Sequence, residues 1–588
     1  MRTVIYLLRT QRSWLRSWLS LTLLLAVVGG GVLAVGAGAR RTDTAYPRFL
    51  VRDNTSDVFF SGNDIAPMGQ RQPVLDRIAK LPQVADAGFA YFVVAALYTG
   101  SGRLLTVDTV SPVALADDRF GRTVDRFKVL EGRAADNGRT DEAVVSFPLA
   151  QALGLHPGDR LTVRPLNQDA FSQGQPPSDG LINRDRLPLA PDLQIPVRIS
   201  GIVASPIPGD FPPLKPGQLG SVYFTPAFAH AYAGRVGAFA AAAVTLHRGR
   251  ADLAAFQHAA EQLGASQQVE INLPGEHEAV VQNSLHLEAL GIGVLAGLAS
   301  VVLLLVLAQG VARRIHLGAT DHAALRALGA TRPQLFGTSL ARAAAAAVAG
   351  AVGAVLIAVA LSPLAPIGLA GRAEPSPGVD LDVAVVLGGA AALAVLVTLF
   401  ALVPAWRAAA AGGGTESLQR GSRLGDALAR TAFPVSAVAG VRLALERGRG
   451  RGAVPVRSAI VACTLGMLTV AGALSFNASL DHLLDTPHLY GWTWDALVGN
   501  SYAADQAART IAGRSWVAAD ATGTQADVDV EGDRAAALAM DSVKGSILPA
   551  VTSGRAPQAD DEILLGSQTD AAAHLGQLVT VHVGDTAM

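Results

Sequence analysis

Residues 311–336, VARRIHLGATDHAALRALGATRPQLF, lie between two apolar runs, 287–310 and 338–361. Each run is long enough to cross a bilayer, and the stretch between them carries Arg313, Arg314, Arg326 and Arg332. A compact basic segment between two such runs reads as a cytoplasmic turnaround. Its own pattern gives it a shape. Ala324, Leu325, Ala327 and Leu328 form the apolar side of a short helix. Gly329 can take the left-handed position that ends it. Thr331 can cap the next helix, with Gln334 three residues on completing a capping box. This spelling leaves Arg326 and Arg332 exposed. It also leaves a small apolar side with nothing of its own chain to pack on, which calls for a partner.

Working outward, the chain of 588 residues has 50% hydrophobic and 16% charged residues, against about 25% charged for a soluble domain. Further apolar runs lie at 19–38, 382–405 and 458–476. Arginine placement orients all five: 1–18, 311–336 and 407–457 are basic and inside, while 40–285, 362–381 and 478–588 are outside. The loop 362–381 holds several prolines and, as its one basic residue, Arg372. The first run could be a cleaved signal peptide ending at Ala37-Gly38-Ala39. At about 20 residues it is longer than the usual h-region, so a retained helix with Trp14 and Trp18 at the headgroups is the reading adopted. The net charge of −1 gives no argument for nucleic acid, and the single Cys463 excludes an intrachain disulfide.

The outer region 40–285 reads as α+β. PVLDRIAKL (73–81), PLAQALGL (148–155) and RADLAAFQHAAEQLG (250–264) read as helices; EAVVSF (142–147), RLTVRP (160–165), VRISGIVAS (197–205) and AAAVTLH (241–247) read as strands. Segments 166–195 and 207–220 read as long loops, and GGG at 412–414 as a linker. An internal repeat links EGRAADNGRTDEAVVSFPLAQALGLHPGDRLTV (131–163) with SGRAPQADDEILLGSQTDAAAHLGQLVTV (553–581). Both run Gly-Arg-Ala, a polar spacer, Asp-Glu, an apolar strand, an Ala-rich helix, Leu-Gly and an alternating strand. Gly132-Arg133 and Asp141-Glu142 read as a turn with a salt-linked strand start. The expected fold is a polytopic α-helical membrane protein with large α+β extracytoplasmic domains, a duplicated unit whose second copy is truncated by about three membrane helices.

The chain has no Gly-Lys dipeptide and hence no P-loop, and no Gly-x-Ser-x-Gly, His-Glu-x-x-His or Cys-x-x-Cys. Its twelve histidines are scattered and read as solvated, His316 and His322 included. No Asp, Glu or Lys falls mid-run, which argues against an ion-driven carrier.

Three stretches resemble the FtsX-like permease family of ABC transporters, the group that includes MacB and the Lol lipoprotein permeases. EGR…DEAVVS…LAQALGLHPGDRLTV looks like the MacB-type extracytoplasmic core. HAALRALGATRPQLF (322–336) looks like the family's cytoplasmic coupling segment, although His322 and Ala323 stand where acidic residues are frequent. Residues 453–495 resemble the helix that opens the second half of long, duplicated actinobacterial members. The resemblance implies a permease subunit with no cofactor of its own and no enzymatic activity, ATP and Mg being bound by a partner. That partner is a cytoplasmic ABC ATPase dimer docking on Arg313, Arg314, Leu325, Arg326, Leu328, Gly329, Thr331 and Arg332. It implies mechanotransmission to an external substrate or partner protein from a multi-pass helical bundle in a bacterial cell membrane, with the N-terminus cytoplasmic. Two alternatives are an FtsX-type scaffold regulating an external enzyme such as a cell-wall hydrolase, and an anchored receptor.

Overall fold

The computed structural model describes residues 18–410, 436 and 456–587, apart from 63, 71, 106–109, 166–188, 191, 208–209, 213–217, 265–268, 492, 497–503, 531–532, 560, 567–573 and 584–585. Most of the loop read at 166–195 and most of the basic linker 407–457 therefore fall outside the described residues, as does Trp14.

Five long helices contain stretches long and apolar enough to cross a membrane: α1 (Trp18–Arg52), α2 (Pro274–Gly318), α3 (Arg332–Leu361), α4 (Val383–Ala410) and α5 (Val456–Leu484). Two of them overrun the expected boundaries. α1 has 35 residues and α2 has 45, so at 1.5 Å per residue they extend about 52 and about 68 Å, against a hydrocarbon core of about 30 Å. Residues 40–52 and 274–285, read from sequence as part of the external domain, are helical extensions of these two apolar rods. Pro47 lies inside α1 and supplies no N–H to the carbonyl of Asp43, four residues back. That freed carbonyl accepts instead from Gln282 Nε2 of α2 at 2.9 Å, and Asp43 Oδ1 lies 2.8 Å from His286 Nδ1. At the other end of the same antiparallel pair, Arg314 Nη2 donates to Ser20 Oγ at 3.0 Å.

Small residues set the spacing of the bundle. Ala343, Ala347, Ala351, Ala354 and Ala358 of α3 and Ala390, Ala401 and Ala405 of α4 are buried in one core with Leu25, Leu33, Leu303 and Leu307. α1 comes so close to α3 that a Cβ on Gly30 would lie 2.7 Å from Ile357 Cβ, and one on Gly350 would lie 2.8 Å from Leu25 Cδ2. Trp18 is buried in this core at 7% exposure.

Above the bundle stands a sheet of thirteen strands: β1 (Val58–Gly62), β2 (Ala66–Pro67), β3 (Val84–Val93), β4 (Ala95–Thr99), β5 (Leu104–Leu105), β6 (Val110–Leu115), β7 (Lys128–Gly132), β8 (Glu142–Ser146), β9 (Arg160–Pro165), β10 (Ile195–Ala204), β11 (Gly220–Phe224), β12 (Gly237–Leu246) and β13 (Val269–Asn272). The order is β13-β1-β12-β3-β6-β11-β8-β10-β9-β4-β5, with β2 on β12 and β7 on β10. β6 with β11 and β8 with β10 are parallel; the other pairs are antiparallel. Alternation along β12 sends Ala238, Ala240, Ala242 and Val244 into the larger core and Ala241 and Ala243 into the smaller core on the opposite face. Helices Pro73–Ile78, Phe147–Leu153, Pro226–Ala231 and Leu253–Gln262 cover the larger-core face. So do the outer ends of α1 (Ala45, Tyr46, Phe49) and α2 (Val281, Leu285).

The two repeat stretches share one hydrogen-bond pattern. Arg133 reaches the carbonyl of Ala134 at 2.9 Å and both carboxylate oxygens of Glu142 at 2.8 and 2.5 Å, and the N–H of Asp136 donates to Glu142 at 3.1 Å. Arg555 reaches the carbonyl of Ala556 at 3.1 Å and both oxygens of Glu562 at 2.8 and 2.5 Å, and the N–H of Gln558 donates to Glu562 at 2.8 Å. Beyond the two glutamates the stretches diverge. Glu142–Ser146 is a fully buried strand between β10 and β11. The strand expected at 562–566 is absent: this stretch is extended coil with its leucines exposed, and among the described residues no strand lies beside it to complete the hydrogen bonds. The second region is built on the hairpin Asp520–Val530 with Asp533–Lys544.

Candidate coupling site

The turnaround is continuous helix to Gly318, a short 3-10 turn at Ala319–Asp321, and then a helix at His322–Ala327. Gly329 has φ +95°, in the left-handed region. Its N–H donates to the carbonyl of Arg326 at 2.9 Å and that of Ala330 to Leu325 at 3.0 Å, the two bonds of a Schellman ending. Thr331 and Gln334 form the reciprocal capping box that starts α3, with the Thr331 N–H 2.9 Å from Gln334 Oε1. Helix, break and new helix stand where the residues place them.

Exposure separates the eight residues singled out from the sequence. Leu328 is 83% exposed. Arg313, Gly329, Thr331 and Arg332 are exposed too, and Leu325 is half-buried. Two basic side chains turn back onto the protein. Arg314 meets Ser20 of α1. Arg326, expected exposed, is half-buried, and its Nη2 donates to the carbonyl of Ala409 at 2.7 Å. His322, expected solvated, is 7% exposed, with Nδ1 3.2 Å from the carbonyl of Ala408. Both side chains thus bond to carbonyls in the last described turn of α4. The short helix is thereby fastened to α4 as well as to α2 and α3, and Leu328 is the large apolar side chain left on its open surface.

At the far end of the rods an aromatic plug joins α1 to the sheet. Phe211 is 1% exposed, with its ring centroid 5.2 Å from Tyr46, 5.4 Å from Phe49 and 5.3 Å from Phe147. Its carbonyl accepts from His277 Nε2 of α2 at 3.0 Å. The neighbouring Asp210 is fully buried and accepts from the Tyr223 hydroxyl, which also lies 3.2 Å from Ser205 Oγ. Burial pushes the Asp210 carboxyl up to about 6, against the pull of those hydroxyls. Sequence reading placed both residues in a Pro- and Gly-rich loop. The available signal was one large aromatic in an otherwise turn-forming stretch.

No family model matches the chain, and no curated protein does. Among solved structures it is similar to the periplasmic region of MacB from Actinobacillus actinomycetemcomitans, at 11% identity and a TM-score of 0.23 over 40% of this chain and 98% of that one. At that score the likeness bears on neither the fold nor the function of this chain.

Among the described residues no group of three or more His, Cys, Asp or Glu side chains is placed to hold a metal ion. Glu142, the one acid of the repeat motif in a fully buried strand, is spent on Arg133 and Arg139, at 2.5 and 3.3 Å. Hydrogen bonding from Arg133 holds its carboxyl below the ordinary range. Sequence reading missed Arg41, Arg48 and Glu374 altogether; the stripe of arginines on α1 was its only signal.

Proposed function

We propose that this chain is the membrane subunit of an ABC transporter, and that a separate cytoplasmic ATPase docks on the turnaround 313–335. The observation that carries the reading is the unbroken course of α1 and α2. Both run from beside the short helix into the core of the external domain with no loop between, and a helix is stiff over that length. Leu328 and Arg332 offer the partner an apolar knob with a cation beside it. The tight Schellman and capping-box ends make that knob a rigid piece rather than a tether, and His322 and Arg326 tie it to α4. ATP-driven closure of the partner would then move α1 and α2 as levers and reshape the external domain. The work so done is export, or handling of a lipoprotein or peptide, outside the membrane.

Such a device requires that the partner bind the two conformations unequally, since only differential affinity shifts an equilibrium. The test is affinity purification of the full chain from its own host, with probing of the eluate for a P-loop ATPase. Recovery of one, and its loss with Leu328→Asp, is the expected result. Equal recovery from the variant would show that the knob is not the dock.

A further inference from the structure

Four arginines line the outer part of α1, and three of them, Arg41, Arg48 and Arg52, fall within about 20° of one line along the helix. They face the α3–α4 loop, residues 362–382. Glu374 of that loop is 1% exposed. Its carboxylate accepts from Arg41 Nε at 3.2 Å, from Arg48 Nη1 and Nη2 at 3.0 and 2.9 Å, and from the Ser376 N–H at 3.2 Å. Arg41 is itself 6% exposed and spends its other N–H groups on four loop carbonyls: Ser362 at 3.3 Å, Ala365 at 3.0 Å, Gly378 at 3.0 Å and Ser376 at 2.6 Å. Arg52 donates to the carbonyl of Pro375 at 2.5 Å, and Arg40 pairs with Asp382 at 3.1 Å. Burial would raise the Glu374 pKa, but hydrogen bonds from Arg48, the Ser376 N–H and Arg41 outweigh it and hold the carboxyl below the ordinary glutamate range.

The loop is gripped from the other side as well. Lys128 of β7 donates to the carbonyls of Arg372 and Glu374 at 2.7 and 2.6 Å. Ala370 and Ala373, on the loop's short helix, are buried in the core of the external domain. Three bodies therefore meet at one residue: α1, the α3–α4 hairpin and the sheet. A loop that merely connected two membrane helices would need none of these contacts. It would also not hold a buried carboxylate, which is costly to desolvate unless its partners are fixed around it.

We propose that Glu374 is the positioning residue that locks the α3–α4 loop, the outer half of α1 and the external sheet into one body. α3 starts at the turnaround, and α4 receives His322 and Arg326 near its end. The lock therefore gives motion a second route to the sheet, through the hairpin, beside the direct route along α1 and α2. This role within coupling rests on the ABC-permease reading; the lock itself does not.

The test measures distances between spin labels in the full chain in lipid nanodiscs, on a Cys463→Ser background. One label pair, Val379 in the loop and Val129 in β7, spans the joint; both positions are exposed. A second pair, Arg103 and His156, lies within the external domain at exposed positions. Both pairs should give single narrow distances in the parent chain. Glu374→Gln leaves Arg41 and Arg48 without their shared anion, so the first pair should lose its narrow peak while the second keeps its own. Lys128→Met should broaden the first pair less, and Glu374→Asp, which restores the charge, should recover part of the narrow peak. A narrow Val379–Val129 distance in Glu374→Gln would overturn the proposal. So would equal broadening of both pairs, which marks general destabilisation rather than an opened joint. Because no ATPase enters the measurement, an opened joint together with failed ATPase capture would leave the lock standing and remove the coupling reading.

Discussion

The two ends of the α1–α2 pair are built differently. At the end beside the sheet, polar groups on the rods bond to other elements: Asp43 to α2, Arg41 and Arg48 to the α3–α4 loop, His277 to the loop that carries Phe211. Aromatic rings fill the space between. At the turnaround end, the short helix ends in tight backbone turns and shows Leu328 to solvent. One end is packed as a joint and the other presents an exposed knob. Stability and partner binding should therefore separate cleanly between the ends, and substitutions can probe that separation.

The largest effect is expected at the aromatic plug. Phe211→Ala removes a fully buried ring that contacts α1 and the helix starting at Phe147, leaving a cavity in the domain core. Such truncations cost about 3–5 kcal/mol. Thermal unfolding of the full chain should show it as a large fall in the midpoint. A fall of a degree or less would mean that the rods and the sheet are held by other contacts. Next comes the ionic joint. Glu374→Gln takes from the almost wholly buried Arg41 its nearest anion and leaves Asp380 at 3.8 Å, and removing one partner of a buried pair costs about 3 kcal/mol. Arg41→Met with Glu374→Gln should recover part of that loss, because the double variant no longer buries an unpaired cation. A double variant less stable than either single one would break the account.

How much of this was legible in the residues depends on the range of the interactions. The turnaround was readable because its structure is local: Gly329, Thr331 and Gln334 lie close together in the chain, which spells a Schellman ending and a capping box in order. The same holds for β9 at Arg160–Pro165 and for the helix ended by Gly154 at φ +64°. The joints were not readable, because their partners are far apart in sequence. Arg41 and Glu374 are 333 positions apart, and Phe211 meets Tyr46 across the whole domain. Composition also misled. A loop judged by its prolines hid the Asp210–Phe211 anchor, and a loop judged by its single cation hid its one decisive acid. The arginine stripe at 41, 48 and 52 was present in the sequence. Counting charge assigns sides and leaves such a stripe unseen, because it shows only along a helix face. The strand expected at 562–566 shows the converse limit. Its local pattern matches β8 down to the Arg–Glu pair, yet a strand exists only where neighbours complete its ladder.

A smaller effect should appear in the pH dependence of the outer end. Burial raises the carboxyls of Asp210 and Asp125 from the ordinary aspartate value to about 6. Between about pH 4 and pH 6 these two groups then hold protons in the folded protein that the unfolded chain has released, so their contribution to stability falls as pH rises through that window and levels off above it. Each group contributes at most about 3 kcal/mol to the decline. Asp210→Asn keeps an acceptor for the Tyr223 hydroxyl and removes the charge, so its unfolding midpoint should fall less steeply than the parent's from pH 4 to pH 6. Asp125, whose Oδ1 accepts from the Ser56 N–H at 2.8 Å, adds slope of the same sign, as do Asp53, Asp57 and Glu278, whose carboxyls burial also raises. Parallel curves for the variant and the parent would show that Asp210 does not carry its share.

The smallest effect on stability is expected where the largest effect on function is proposed. Leu328 is 83% exposed and comes directly after a six-residue helix held by backbone bonds at its end and by His322 and Arg326 on α4. Leu328→Asp removes no packing within the chain and should change stability by no more than about 0.5 kcal/mol, the usual range for surface positions. An unchanged unfolding midpoint together with loss of the co-purifying ATPase would assign the exposed leucine to a partner. A midpoint lowered by several degrees would mean that Leu328 packs against its own chain, and the contrast between the two ends would then fail at the turnaround itself.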